Sequence, residues 1–264
     1  MKKQLYLLLL LGITTLSAVA QKNVFKIHTL PFVWGEMRLG YERVITPKLA
    51  LQFNYGTFLG SRIPSPIYET SSVETYLNTT PIKNKLSGFS TSIDLRIYTK
   101  SEAPTRFYIA PYIKYNKYNV TASASFEYSA DTSEYNQLTQ QQQSVGGYQN
   151  GNYHYDVTGI LDGTISQFGA GASIGMQFLV AKVIIIDLNF FGLGVEYNKV
   201  NADLTTNVRG VDYEKWLPYV RDEVEDIPYI GEKIELTAEQ DRIKMKAPIV
   251  MPTFRASIGI GFAF

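Results

Sequence analysis

Eight short segments of this chain alternate between apolar residues and residues that are polar or very small. They are Phe25–Thr29, Glu36–Glu42, Leu49–Gly56, Phe89–Ile97, Phe107–Asn116, Gln167–Phe178, Ile184–Phe190 and Phe254–Phe264. A period of two is the mark of a β-strand with one apolar face. In the sixth segment Phe168, Ala170, Ala172, Ile174, Met176 and Phe178 share one face, and Gly169, Gly171, Ser173, Gly175 and Gln177 share the other. In the seventh the pattern slips after Phe190-Phe191, where Leu193, Val195 and Tyr197 take the opposite parity. A bulge accounts for such a slip.

The connections order the strands. Three are tight: Thr46-Pro47-Lys48, Lys100 to Thr105, and Ala181-Lys182. Three are long: 61–85, 127–160 and 199–250. They alternate short and long, and only Leu30 to Trp34 is short where a long one is due. Short turns at one rim and long loops at the other describe an up-and-down barrel. An even strand number puts both chain ends at the short-turn rim.

A water-soluble barrel also alternates, so the polar face decides which solvent lies outside. Glycine weakens an exposed strand, yet Gly169, Gly171, Gly175, Gly259 and Gly261 all lie on that face. Its charges nearly balance: Lys26, Arg38, Arg96, Lys114 and Arg255 against Glu36, Glu42, Asp94 and Asp187. Small residues and balanced charges suit a crowded interior, which turns the apolar face outward to lipid. Tyr41, Tyr55, Tyr115, Phe178 and Phe264 are placed as an aromatic girdle. The expected fold is all-β: an eight-stranded antiparallel up-and-down transmembrane β-barrel with three long extracellular loops. Backbone pairing demands closure in hydrocarbon, so the last strand must meet the first.

At the start, Lys2 and Lys3 precede the apolar run Leu5 to Leu16, and Ala18-Val19-Ala20 forms a small-x-small site before Gln21. That pattern predicts a signal peptide at 1–20 and a barrel over 21–264. The chain has no cysteine, which excludes disulfides and cysteine-linked lipid. Without Lys2 and Lys3, the 25 basic residues fall to 23 against 24 acidic. So even a balance argues against a nucleic-acid partner.

The last strand carries a further pattern. Ser257, Gly259, Phe262 and Phe264 fit polar-x-Gly-x-x-aromatic-x-aromatic. That stretch resembles the signal read by the β-barrel assembly machinery of Gram-negative bacteria. The whole chain resembles small outer-membrane β-barrel proteins. "LGYERVITPKLALQFNYG" (39–56) and "DIPYIG" (226–231) look like an uncharacterised family related in shape to OmpA-like and OmpW-like barrels. The resemblance implies outer-membrane lipids and the assembly machinery as partners, and an outer-membrane location with both termini in the periplasm. It implies no agreed activity.

Chemistry-bearing residues are few. His28 faces the polar side of the first strand and is expected to bond a neighbouring carboxylate there. His154 falls in a Tyr-, Asn- and Gly-rich loop. From Asp212 to Asp241 ten acidic residues stand against three basic ones, without the Asp-x-Asp-x-Asn spacing of a calcium loop. Trp216, Val220, Val224 and Ile227 mark one face of a helix there, with Pro218 near its start. No catalytic, cofactor or metal site is expected. The reading is a non-enzymatic, structural or surface-interacting barrel. The alternatives are a channel for small or hydrophobic solutes and a lipid-modifying enzyme.

Overall fold

A computed structural model of the chain describes residues 22–58, 85–100, 103–130, 147–149, 152–207, 213–225 and 231–264. Ten strands form one antiparallel sheet: β1 (Asn23–His28), β2 (Glu36–Thr46), β3 (Leu49–Phe58), β4 (Lys85–Tyr98), β5 (Arg106–Ala130), β6 (Gly147–Gln149), β7 (Asn152–Val180), β8 (Ile184–Thr206), β9 (Glu235–Glu239) and β10 (Arg242–Ala263). Eight of them close a ring in the order β1-β2-β3-β4-β5-β7-β8-β10, sealed by β1 against β10. β6 pairs only with β7, and β9 pairs only with β10. The fold is an eight-stranded antiparallel up-and-down barrel.

The register fixes its shape. The ladder from Phe25 runs through Tyr41, Phe53, Ile93, Ile113, Ala170 and Val195 to Pro252. Phe25 itself pairs with Phe262, so ten residues of β10 separate the two ends of one turn. Ten residues of stagger at ~3.3 Å rise, over eight strands ~4.8 Å apart, tilt the strands by about 40°. Phe168 and Phe178 face outward ten residues apart on β7. At that tilt they lie about 25 Å apart along the axis, the height of the apolar band of a membrane barrel.

The faces follow the alternation. Ile93, Ile113, Phe168, Phe190, Leu193, Phe254 and Ile260 are all exposed, while Lys26, Glu42, Gln52, Asp94, Arg96 and Asp187 are at most 2% exposed. The slip on β8 is a bulge: Ile174 pairs with Phe191 and Gly175 with Asn189, leaving Phe190 as the extra residue. Tyr41, Tyr55, Tyr115 and Phe178 all face outward. Phe264 is instead half-buried, its ring 5.5 Å from that of Phe262. Its backbone exchanges hydrogen bonds of 2.9 and 3.0 Å with Asn23.

One rim carries the turns at Pro47-Lys48, Ala103–Thr105 and Ala181–Val183, with Asn23 and Phe264 beside them. The opposite rim carries the short connection from β1 to β2, a 3-10 turn over Leu30–Trp34. Gly35 ends that turn at φ 75°, a conformation that favours glycine.

Strand occupies part of two of the expected long connections. Within 127–160, residues 127–130, 147–149 and 152–160 are strand. His154, expected in a loop, therefore lies on β7, opposite Ser129. Within 199–250, β8 runs on to Thr206 and β10 starts at Arg242. The alternation reverses there once a strand leaves the apolar belt: Ile243, Ala247 and Ile249 are buried inside while Lys199 and Lys246 are exposed, and the ladder continues. Between them lies helix α1 (Tyr213–Glu225), which holds Trp216, Val220 and the buried Val224. Pro218 is inside the helix and not at its start. Its ring removes the one bond to the carbonyl four residues back. The helix is tied to β8 by the Thr206 amide, which donates to the Tyr213 hydroxyl at 3.0 Å. Residues 1–21, most of 61–85 and Ile227 lie outside the described residues.

Candidate functional site: the barrel interior

The interior is built in layers from the short-turn rim upward. Val24, Ile185 and Ala263 form an apolar floor at one side, and Ala50, Tyr98 and Ala110 pack beside Tyr108 at the other. Directly above lies a layer of charge. Lys26 Nζ donates to Glu42 (2.5 Å), Gln52 (2.8 Å), Gln177 (2.6 Å) and Asp187 (2.8 Å). Arg96 reaches Asp187 at 2.6 Å and Gln177 at 2.7 Å, with Glu42 at 3.4 Å. The Tyr98 hydroxyl donates to Glu42 at 2.6 Å and the Tyr108 hydroxyl to Asp187 at 2.8 Å. Two cations and two carboxylates thus share one neutral cluster. Its members come from β1, β2, β3, β4, β5, β7 and β8. Charge-assisted bonds of this kind are the strong ones, and here they run across the ring from wall to wall.

The next layer holds a second ion pair. Arg255 binds Asp94 in a two-pronged contact of 2.9 and 2.6 Å. The Arg255 guanidinium also lies 4.8 Å from the centre of the Tyr112 ring. His28 is buried, and its Nε2 sits 3.0 Å from the Asn54 amide oxygen. The expected carboxylate partner is thus an amide: Asn54 is the inward residue of β3 at that height.

Above this, Arg38 grips Glu36 through two bonds of 2.9 and 2.8 Å, and Glu36 also accepts from Ser90. Lys114 pairs with Glu196 and donates to Thr253 at 3.1 Å. Here the interior opens toward the long-loop rim as a cavity of about 260 Å³, lined in part by Glu36, Arg38, Lys114, Asn116, Gln167 and Arg255.

Glycine makes room for these side chains. A Cβ on Gly171 would meet the Tyr112 hydroxyl at 2.7 Å, and one on Gly175 would strike the Tyr108 hydroxyl. The run Gly169-Ala-Gly-Ala-Ser-Ile-Gly175 is therefore the wall against which the β5 tyrosines lie.

All nine charged residues expected in the interior are there and paired. A tenth, Glu196, completes the balance at five cations and five anions. The signal for it was present, because the parity slip at Phe190-Phe191 turns Leu193, Val195 and Tyr197 outward and Glu196 inward. Gly259, Phe262 and Phe264 belong to the closing edge, and Ser257 pairs with Asn189 on the other side of β10; Ser257 and Gly259 face in, Phe262 faces out, and Gly259 pairs with His28. Among the described residues no group of three His, Cys, Asp or Glu is placed to hold a metal ion. No helix among them is long and apolar enough to cross a membrane.

Fold and interior together define a closed barrel with an apolar outer belt and a neutral, hydrogen-bonded polar core. No family model matches the chain, and no curated protein does. Among solved structures, a major outer membrane protein from Thermus thermophilus aligns over 94% of this chain and 100% of its own, at 10% identity and a TM-score of 0.37.

Proposed function

We propose that this chain is an outer-membrane β-barrel protein that crosses the bilayer as a sealed, non-enzymatic scaffold. Its termini and short turns face the periplasm. The extended ends of β5, β7, β8 and β10, with α1 and the β9–β10 hairpin, stand outside as a structural or surface-interacting platform. The reading is supported most by one observation: seven of the eight wall strands contribute a side chain to the single layer around Lys26 and Arg96. That layer, with its apolar floor, argues against a channel. Each buried charge is paired with an opposite one, which argues against a lipid-modifying enzyme.

The outer belt supports the membrane reading. Closed pairing leaves no strand edge open in the belt, and backbone in hydrocarbon must have all its bonds made internally. The resemblance of Ser257, Gly259, Phe262 and Phe264 to an assembly signal supports the outer membrane in particular. The test is to fold the purified chain into phosphatidylcholine vesicles loaded with a small sugar. The proposal expects a heat-modifiable band on gels, the mark of a folded barrel, with no sugar release. Release at the rate of an open pore overturns the sealed scaffold, and failure to fold into vesicles overturns the membrane location.

A further inference from the structure

Three strands of the outer wall carry a graded patch where the apolar belt ends. Successive rungs of β5, β7 and β8 read, from the belt outward, Tyr115–Phe168–Tyr197, then Lys117–Ser166–Lys199, then Asn119–Thr164–Asn201. All three residues of the first rung are exposed, at 40%, 56% and 47%. Lys117 and Lys199 are exposed as well, while their inward neighbours Asn116 and Asn198 are buried. Thr164 donates to Asn119 at 3.2 Å on the same outer face.

Two features together bear on what this patch meets. First, neither lysine has an ion-pair partner among the described residues, although nearly every charged group in the interior has one. The nearest acids on the outer face of these strands, Asp162 and Asp203, lie two rungs further out, and Asp203 is already engaged by Arg242 at 3.4 Å. Second, the lysines sit one rung above aromatic rings. Amphipathic rings settle at the headgroup level of a bilayer. The lysines are on strands two apart, about 10 Å from one another with Ser166 between them.

We propose that Lys117, Ser166 and Lys199 hold the phosphorylated headgroup of a lipid in the leaflet on the long-loop side, its acyl chains lying on Tyr115, Phe168 and Tyr197. The amides and hydroxyl of Asn119, Thr164 and Asn201 then meet the polar part of the headgroup beyond the phosphates. This proposal rests on the membrane reading above. Its chemistry is two flexible ammonium groups at the spacing of two phosphates, set at the depth where a lipid carries them.

The test uses the whole folded barrel in a neutral detergent. Retention of bisphosphorylated lipid A is counted by native mass spectrometry for the wild type, for K117Q/K199Q and for K117R/K199R. A second double variant, K22Q/K48Q, removes the same charge at the opposite rim. Each lysine near an anionic surface is worth about a fivefold change in binding, so losing two should weaken retention about twenty-fivefold. The proposal expects that loss in K117Q/K199Q alone, with the arginine variant and the opposite-rim variant close to wild type. Equal retention in the wild type and K117Q/K199Q overturns it. So does an equal loss at the opposite rim, or competition by inorganic phosphate at the concentration of the lipid, which would make the patch a general anion site. Folding of every variant into phosphatidylcholine vesicles is checked on gels. A wild type that folds there while the lysines prove irrelevant sinks only the lipid site, whereas a wild type that cannot fold there sinks the membrane reading.

Discussion

Arg96→Ala probes the interior at its most connected point. Arg96 is 1% exposed, bonds Asp187 and Gln177, and lies 4.1 Å from the centre of the Tyr108 ring. Its removal leaves Glu42 and Asp187 to share Lys26, so the cluster goes from neutral to one excess negative charge in a nearly dry space. Breaking a buried pair typically costs ~3–5 kcal/mol, most of it the desolvated partner left behind. The lost contact with Tyr108 adds ~0.5–2 kcal/mol. Arg96→Ala should therefore lower stability by about 5 kcal/mol, read as a shift of the urea midpoint for barrels folded in phosphatidylcholine vesicles. The double variant Arg96→Met/Asp187→Asn restores neutrality at similar volume and should recover about half of that loss. Recovery is the discriminating result, because a cavity alone would not be healed by changing a neighbouring carboxylate. A loss below ~1 kcal/mol, or a double variant as unstable as the sum of the two singles, would refute the idea that the cluster acts as one neutral unit.

Three further outcomes follow from the same structure. Gly175→Ala places a methyl group against the Tyr108 hydroxyl and 2.6 Å from the Leu188 carbonyl oxygen; it should cost ~1–3 kcal/mol by overpacking, checked by the same urea midpoint. Phe264→Ala removes one half-buried ring at the closing edge and should cost ~1.5–3 kcal/mol once folded. By its resemblance to an assembly signal, the same change should leave unfolded protein in the periplasm of cells, and equal loss in vitro and in cells would show that the ring acts through stability alone. The chain has no cysteine, so single cysteines report topology cleanly. Asn207→Cys should be labelled by an impermeant reagent on intact cells and Lys182→Cys should not, and the reverse pattern would invert the barrel.

The wall was legible because lipid and lumen impose opposite demands on adjacent residues. Phe168 to Phe178 could be read as a strand, with its outward face, from that contrast alone. The interior was legible for the same reason: a lysine or arginine between two outward apolar residues has nowhere to go but in. Three things were hidden. Glu196 lies beyond the bulge at Phe190-Phe191, just before Gly192, and is placed inside only when that parity flip is carried forward along the strand. The far ends of β5, β7, β8 and β10 were read as loops; on β8 and β10 the contrast is reversed there, with Ile243 and Ala247 buried inside and Lys199 and Lys246 exposed outside. Which partner each charge takes depends on stagger: Lys26 meets Asp187, 161 residues away, only because ten residues of shear bring β1 and β8 to one height. No local pattern carries that number.

On the proposed function, the layer of Lys26, Glu42, Arg96 and Asp187 and the apolar floor below it close this barrel to ions. Recording in planar bilayers tests it most directly. Wild-type protein, inserted and shown to be folded by its heat-modifiable migration, should give no steady conductance above the bare bilayer across a range of voltages. Reproducible single-channel steps from the wild type would contradict the proposal, which requires the layer of Lys26, Glu42, Arg96 and Asp187 to leave no continuous water path.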